Sequence, residues 1–102
     1  KIMLGREGAP HGWEVLRTPS DIAHLNCNNL LVEGGAETAT AFLREGLVDR
    51  LLLYRAPILI GAGKACLSDI GLARLADAHG QWSQSDCRSL GKDRLEVYER
   101  AN

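Results

Sequence analysis

Apolar residues fall in short, separated clusters along the chain, with one helical stripe among them. Ile2-Met3-Leu4 is an apolar run closed by Gly5, Gly8, Pro10 and Gly12, which predicts a strand and then a turn-rich loop. Trp13 to Arg17 alternates loosely and predicts a second strand. Thr18-Pro19-Ser20-Asp21 carries a helix start: an N-cap residue, proline at the first helical position and an acid in the first turn. The helix over Ile22 to Leu25 is barely one turn long before Asn26, Asn28 and Asn29 end it. Leu30-Leu31-Val32 is apolar on both faces, as a central parallel strand requires. A parallel crossover as short as this one is unusually tight unless residues are absent before Leu30, and absence is the favoured expectation.

The strongest periodicity runs over Ala36 to Glu45. Ala36, Ala39, Leu43 and Leu47 recur at helical spacing, Phe42 widens the stripe, and Glu37, Arg44 and Glu45 lie off it. Gly46 supplies the stop. Leu51 to Tyr54 predicts a second fully buried strand that bends at Pro57 and continues through Ile58-Leu59-Ile60. Gly61 to Lys64 predicts a loop, and the residues near Leu72 to Leu75 one helical turn. Trp82 to Leu90 and Leu95 to Arg100, joined by Gly91-Lys92-Asp93, predict an antiparallel hairpin. The expected class is α/β: a mixed, mostly parallel sheet flanked by helices, with a C-terminal antiparallel hairpin. Lys1 opens inside a strand and Arg100-Ala101-Asn102 follows a finished one, so residues 1–102 read as the C-terminal portion of one longer domain.

Composition narrows the function. Twelve Lys and Arg against 13 Asp and Glu give a net charge of -1, which provides no basic field for tracking nucleic acid. The apolar runs are too short to cross a bilayer. Cys27, Cys66 and Cys87 form no close pair, so the expectation is three reduced thiols acting as small hydrophobes in a cytoplasmic protein. His11, His24 and His79 are dispersed and fit no ligand spacing.

The candidate chemistry lies in Glu33-Gly34-Gly35-Ala36-Glu37-Thr38. A strand ends, two glycines free the backbone, and a helix begins at once. The first turn of that helix presents unpaired N–H groups at the positive end of its dipole, a cradle for a phosphate. Small Ala36 and Ala39 allow close approach, Thr38 adds a hydroxyl, and Glu33 lies where ligands bind in open α/β sheets. A pair of glycines that only makes a tight turn, beside a solvated Glu33, fits the same pattern. Gly61-Ala62-Gly63-Lys64 lacks the third glycine and the following helix of a dinucleotide fingerprint.

Asn29 to Leu43, then Gly46-Leu47-Val48-Asp49-Arg50, then Ala56 to Gly61 together resemble one family. It is the reductase domain of the bifunctional riboflavin-biosynthesis deaminase/reductase, and the likeness is densest over Asn29 to Gly61. The resemblance implies a dihydrofolate-reductase-like fold, incomplete in this chain, in a cytoplasmic homodimer. It also implies NADPH-dependent reduction of 5-amino-6-(5-phosphoribosylamino)uracil to its ribitylamino form, an oxidoreductase reaction at the sugar's C1′. It assigns Glu33 to the phosphorylated pyrimidine substrate and Gly34, Gly35, Ala36, Glu37, Thr38, Ala39, Thr40 and Ala41 to NADPH. The catalytic residues stay unassigned. The family's zinc-deaminase signature is absent, as is the first part of the reductase domain, so the chain alone is expected to be inactive. Two other readings stay open: a reductase of the same fold acting on a pterin or another carbonyl compound, and a non-catalytic dimerisation module.

Overall fold

A computed structural model describes residues 2–5 and 10–101. The loop glycine Gly8 and the terminal Lys1 and Asn102 lie outside them. The chain divides into two compact units: Lys1–Leu47 with Cys66–Ile70, and Val48–Ala65 with Gly71–Asn102.

In the first unit, β1 (Ile2–Leu4) and β2 (Glu14–Leu16) pair in parallel, with Met3 opposite Val15. Before β2, the Trp13 N–H bonds the Pro10 carbonyl at 3.1 Å. Gly12, at φ +86°, takes the third turn position, which calls for positive φ. The helix start at Thr18 is real but gives a 3₁₀ segment, Pro19–His24. Asp21 accepts the N–H groups of Arg17 and Thr18, each at 3.1 Å. The Thr18 N–H foremost, aided by that of Arg17, holds the Asp21 carboxyl below its ordinary value.

α1 (Ala36–Arg44) lies where the periodicity put it. Its stop is a Schellman motif: Leu47 N–H bonds the Phe42 carbonyl, and Gly46 N–H the Leu43 carbonyl, each at 3.1 Å. Gly46 makes that reversal at φ +67°. Phe42 and Thr40, each 5% exposed, are the most buried residues of α1, while Glu37, Arg44 and Glu45 stay exposed.

The second unit is a three-stranded antiparallel sheet in the order β3 (Arg50–Arg55), β5 (Asp93–Arg100), β4 (Trp82–Leu90). Leu90 pairs with Asp93, so the hairpin turn is Gly91-Lys92. Gly91 sits at φ +62° and Lys92 has no positive φ, which makes the turn type II′. A bulge at Ser85 shifts the register between Gln84 and Asp86. The central strand carries a buried acid, Glu96, which reaches Arg55 at 3.6 Å and accepts from the Tyr98 hydroxyl at 3.3 Å. Desolvation, and next the charge of Glu96, pushes the Tyr98 phenol above its ordinary value.

Four expectations need correction. The larger sheet is antiparallel, and parallel pairing among the described residues is confined to β1 and β2. Leu30-Leu31-Val32 is no strand: it pairs with nothing among the described residues, and Leu31 is 72% exposed. An apolar run records that both faces want burial, but a strand also needs hydrogen-bonding neighbours, which its own sequence does not supply. β3 is not fully buried. It is an edge strand with Leu51 and Leu53 half-buried on one face and Leu52 and Tyr54 exposed on the other. It ends at Arg55, where the Ile58 N–H closes a tight turn over Pro57 onto the Ala56 carbonyl at 2.9 Å, and Ile58 to Ile60 are exposed coil. Finally, the three cysteines are free but exposed rather than packed as hydrophobes. A smaller shift moves the helical turn near Leu72 to a 3₁₀ segment at Leu75–Ala78.

Candidate functional site

The site is built around the entry to α1. Residues 30–35 are exposed coil that delivers the chain to the helix at Ala36. Gly35 is the N-cap at φ -82° and ψ -173°, a conformation open to any residue. The Ala39 N–H is the first to find a partner inside the helix, the Gly35 carbonyl, at 3.2 Å. The N–H groups of Ala36, Glu37 and Thr38 precede it, and no side chain at Gly35 caps them. They form the positive end of the helix dipole.

The two glycines differ in what they do. A Cβ on Gly34, whose φ is +154°, would lie 3.1 Å from Thr38 Cβ and 3.2 Å from Thr38 Oγ1. A Cβ on Gly35 would meet nothing within 4 Å. Gly34 is therefore needed by the fold, whereas a side chain at Gly35 would enter open space. Of the backbone freedom that the glycine pair offers, only Gly34 uses a conformation closed to other residues.

Glu33 is exposed, and Ala36, Thr38, Ala39 and Ala41 are half-buried along the helix. Glu37 and Thr40 are fixed by a segment that sequence reasoning missed. The Ser68 hydroxyl donates to Glu37 Oε1 at 2.5 Å, and the Ser68 N–H donates to Thr40 Oγ1 at 2.8 Å. One turn further along, Arg44 Nη1 donates to the Asp69 carbonyl at 2.8 Å, with the Asp69 carboxylate 3.8 Å away. These partners lie 25 to 31 residues from α1, beyond any local pattern. One signal was present: Thr40 falls among the apolar helix positions, and a buried hydroxyl requires a partner. The Gly61 to Lys64 segment, in the second unit, is a loop with no helix after it, as expected. No helix among the described residues is long and apolar enough to cross a membrane.

Comparison with solved structures gives the class first: a mixed α/β domain of the kind found in riboflavin-biosynthesis proteins. Acinetobacter baumannii RibD superposes on 98% of this chain with a TM-score of 0.71 at 22% identity, using 37% of its own length. A Shewanella sp. PV-4 protein named for riboflavin biosynthesis covers 99% with a TM-score of 0.77 at 18% identity, over 60% of its own chain. Among curated proteins, riboflavin biosynthesis protein RibD of Mycobacterium tuberculosis is 38% identical over 95 residues, which are 93% of this chain and 26% of that protein. The Escherichia coli RibD is 42% identical over 67 residues, 65% of this chain and 18% of that protein. The model of the RibD C-terminal domain matches residues 20–94, and the chain belongs to that family. It spans about a quarter or less of the length of these curated relatives.

Proposed function

We propose that this chain is the C-terminal portion of a reductase domain with a dihydrofolate-reductase-like fold, acting in the cytoplasm. In this reading it takes part in the NADPH-dependent reduction of 5-amino-6-(5-phosphoribosylamino)uracil to its ribitylamino form. The observation that carries the reading is the uncapped start of α1, next to a Gly35 whose Cβ position is open, in a chain of the RibD C-terminal domain family.

The residues present fit a dinucleotide. The N–H groups of Ala36, Glu37 and Thr38 bind a phosphate through hydrogen bonds and the helix dipole. Gly34 and Gly35 let the ligand approach the main chain, and Ala39, Thr40 and Ala41 continue the wall along the first turns. When bound, NADPH supplies the hydride that reduces the ribose C1′. Glu33, one residue before the glycine pair, accepts hydrogen bonds from the sugar hydroxyls and orients the substrate. What the protein contributes is chiefly proximity and alignment. In this reading the protein is a homodimer, and the edge strand β4 of the closing hairpin is the feature open to a partner chain.

The test uses the full-length protein with the pyrimidine substrate, following NADPH by its absorbance. Oxidation of NADPH coupled to loss of that substrate is expected. Glu33→Gln should keep the NADPH affinity and raise the KM for substrate. Turnover of a pterin instead of the pyrimidine would overturn the substrate assignment. Absence of NADPH binding by calorimetry would overturn the enzyme reading in favour of a dimerisation module.

A further inference from the structure

The proposed cradle contains a charge of the wrong sign. Glu37 is the second residue of α1, among the N–H groups that would hold a phosphate. A carboxylate there is attracted to the positive helix end. Left free, it competes with an anionic ligand for the same donors and repels it.

The structure gives this carboxylate another partner. The Ser68 hydroxyl donates to Glu37 Oε1 at 2.5 Å. Ser68 is itself held, because its N–H donates at 2.8 Å to the hydroxyl of Thr40, which is only 5% exposed. The next residue, Asp69, is tied through its carbonyl to Arg44 at 2.8 Å. Glu37, Thr40 and Arg44 therefore follow one side of α1 and bind two consecutive residues of a single segment. The segment docks along the side of the helix, and its serine draws the Glu37 carboxylate to that side.

We propose that Ser68 is a positioning residue for the nucleotide site: it tethers the Glu37 carboxylate away from the first N–H groups of α1, so that they serve a phosphate. The inference rests on the reading of that helix start as the NADPH site. It gives Glu37 a restrained place beside the ligand and gives Ser68, outside the family motif read in the sequence, a role that acts only through Glu37.

The experiment is a double-mutant cycle on the full-length protein, with NADPH binding measured by calorimetry and folding by thermal melting. Ser68→Ala should weaken NADPH binding by roughly three- to tenfold, the scale of one partly screened like-charge contact. Ser68→Thr, which keeps the hydroxyl, should restore it. In the Glu37→Gln background the same Ser68→Ala change should cost nothing further, because the charge to be restrained is gone. The gap between wild type and Ser68→Ala should also narrow as salt is raised, and that readout holds even if the variant melts earlier. An equal loss in the Glu37→Gln background, or a gap indifferent to salt, would make Ser68 a structural support and overturn the proposal. No NADPH binding by the unmodified protein would instead overturn the site itself, before any substitution is made.

Discussion

The two adjacent glycines make separable demands, and replacing each by alanine distinguishes fold from site. At Gly34 an alanine would keep φ near +154°, where side chains rarely settle, and place its Cβ 3.1 Å from Thr38 Cβ and 3.2 Å from Thr38 Oγ1. The backbone conformation costs about 1–3 kcal/mol for a residue other than glycine. The contact with Thr38 adds to that cost, because Cβ of Thr38 is fixed to the helix and cannot swing aside. Against this, alanine lowers the entropy of the unfolded chain and returns about 0.4–1 kcal/mol. Gly34→Ala should therefore destabilise the first unit by about 1–3 kcal/mol net. At Gly35 both penalties vanish, since φ is -82° and the added Cβ meets nothing within 4 Å. Gly35→Ala should leave the fold unchanged or stabilise it by up to about 1 kcal/mol, while its methyl group intrudes on the approach to the helix start and weakens NADPH binding. Urea unfolding of the full-length protein and NADPH titration of both variants supply the comparison. Equal destabilisation by the two alanines would refute the distinction, and so would Gly35→Ala binding NADPH as tightly as wild type.

Two further outcomes follow from the first unit. Phe42→Ala should be the most damaging single truncation on α1, costing about 3–5 kcal/mol for a buried aromatic. The urea midpoint should fall well below that of Leu43→Ala, because Leu43 is only half-buried. Asp21 should make stability depend on acid pH: its carboxyl lies below the ordinary 3.8, held there first by the Thr18 N–H. The stabilisation is then complete above 3.8 and is lost as pH falls through the lower folded value. Asp21→Asn should flatten that acid limb in pH-dependent melting, and an unchanged limb would remove Asp21 as its cause.

What was legible in the sequence is what neighbouring residues decide together. α1 was found with its stripe and its glycine stop because helical hydrogen bonds, amphipathic spacing and the Schellman reversal all act within a few residues. The hairpin was legible for the same reason: Gly91-Lys92 sets the turn, and the turn sets the register of β4 against β5. Leu30 to Val32 and Ile58 to Ile60 have the composition of buried strands yet form none, because strand formation depends on which remote backbone lies alongside. Of the candidate site, the Gly-Gly entry and the helix start could be read directly. The division of labour between Gly34 and Gly35 could not, since it turns on φ and on the distance to Thr38.

Ser68 shows where local pattern stops and tertiary placement begins. Nothing around it in sequence marks a contact with α1, yet it satisfies the polar residue that the helical stripe leaves at Thr40 and also engages the exposed acid Glu37. A threonine buried on a helix face must find a partner, because an unpaired hydroxyl there costs on the order of 1–3 kcal/mol. The need was visible in the sequence while the partner was not. Once Thr40 captures the Ser68 N–H, the serine hydroxyl is within reach of Glu37, three positions earlier on the same side of the helix. The packing requirement of the core and the charge requirement of the proposed nucleotide site are thus met by one residue. Loss of the Thr40 hydroxyl should consequently disturb Glu37 as well, through Ser68, although Thr40 and Glu37 share no hydrogen bond.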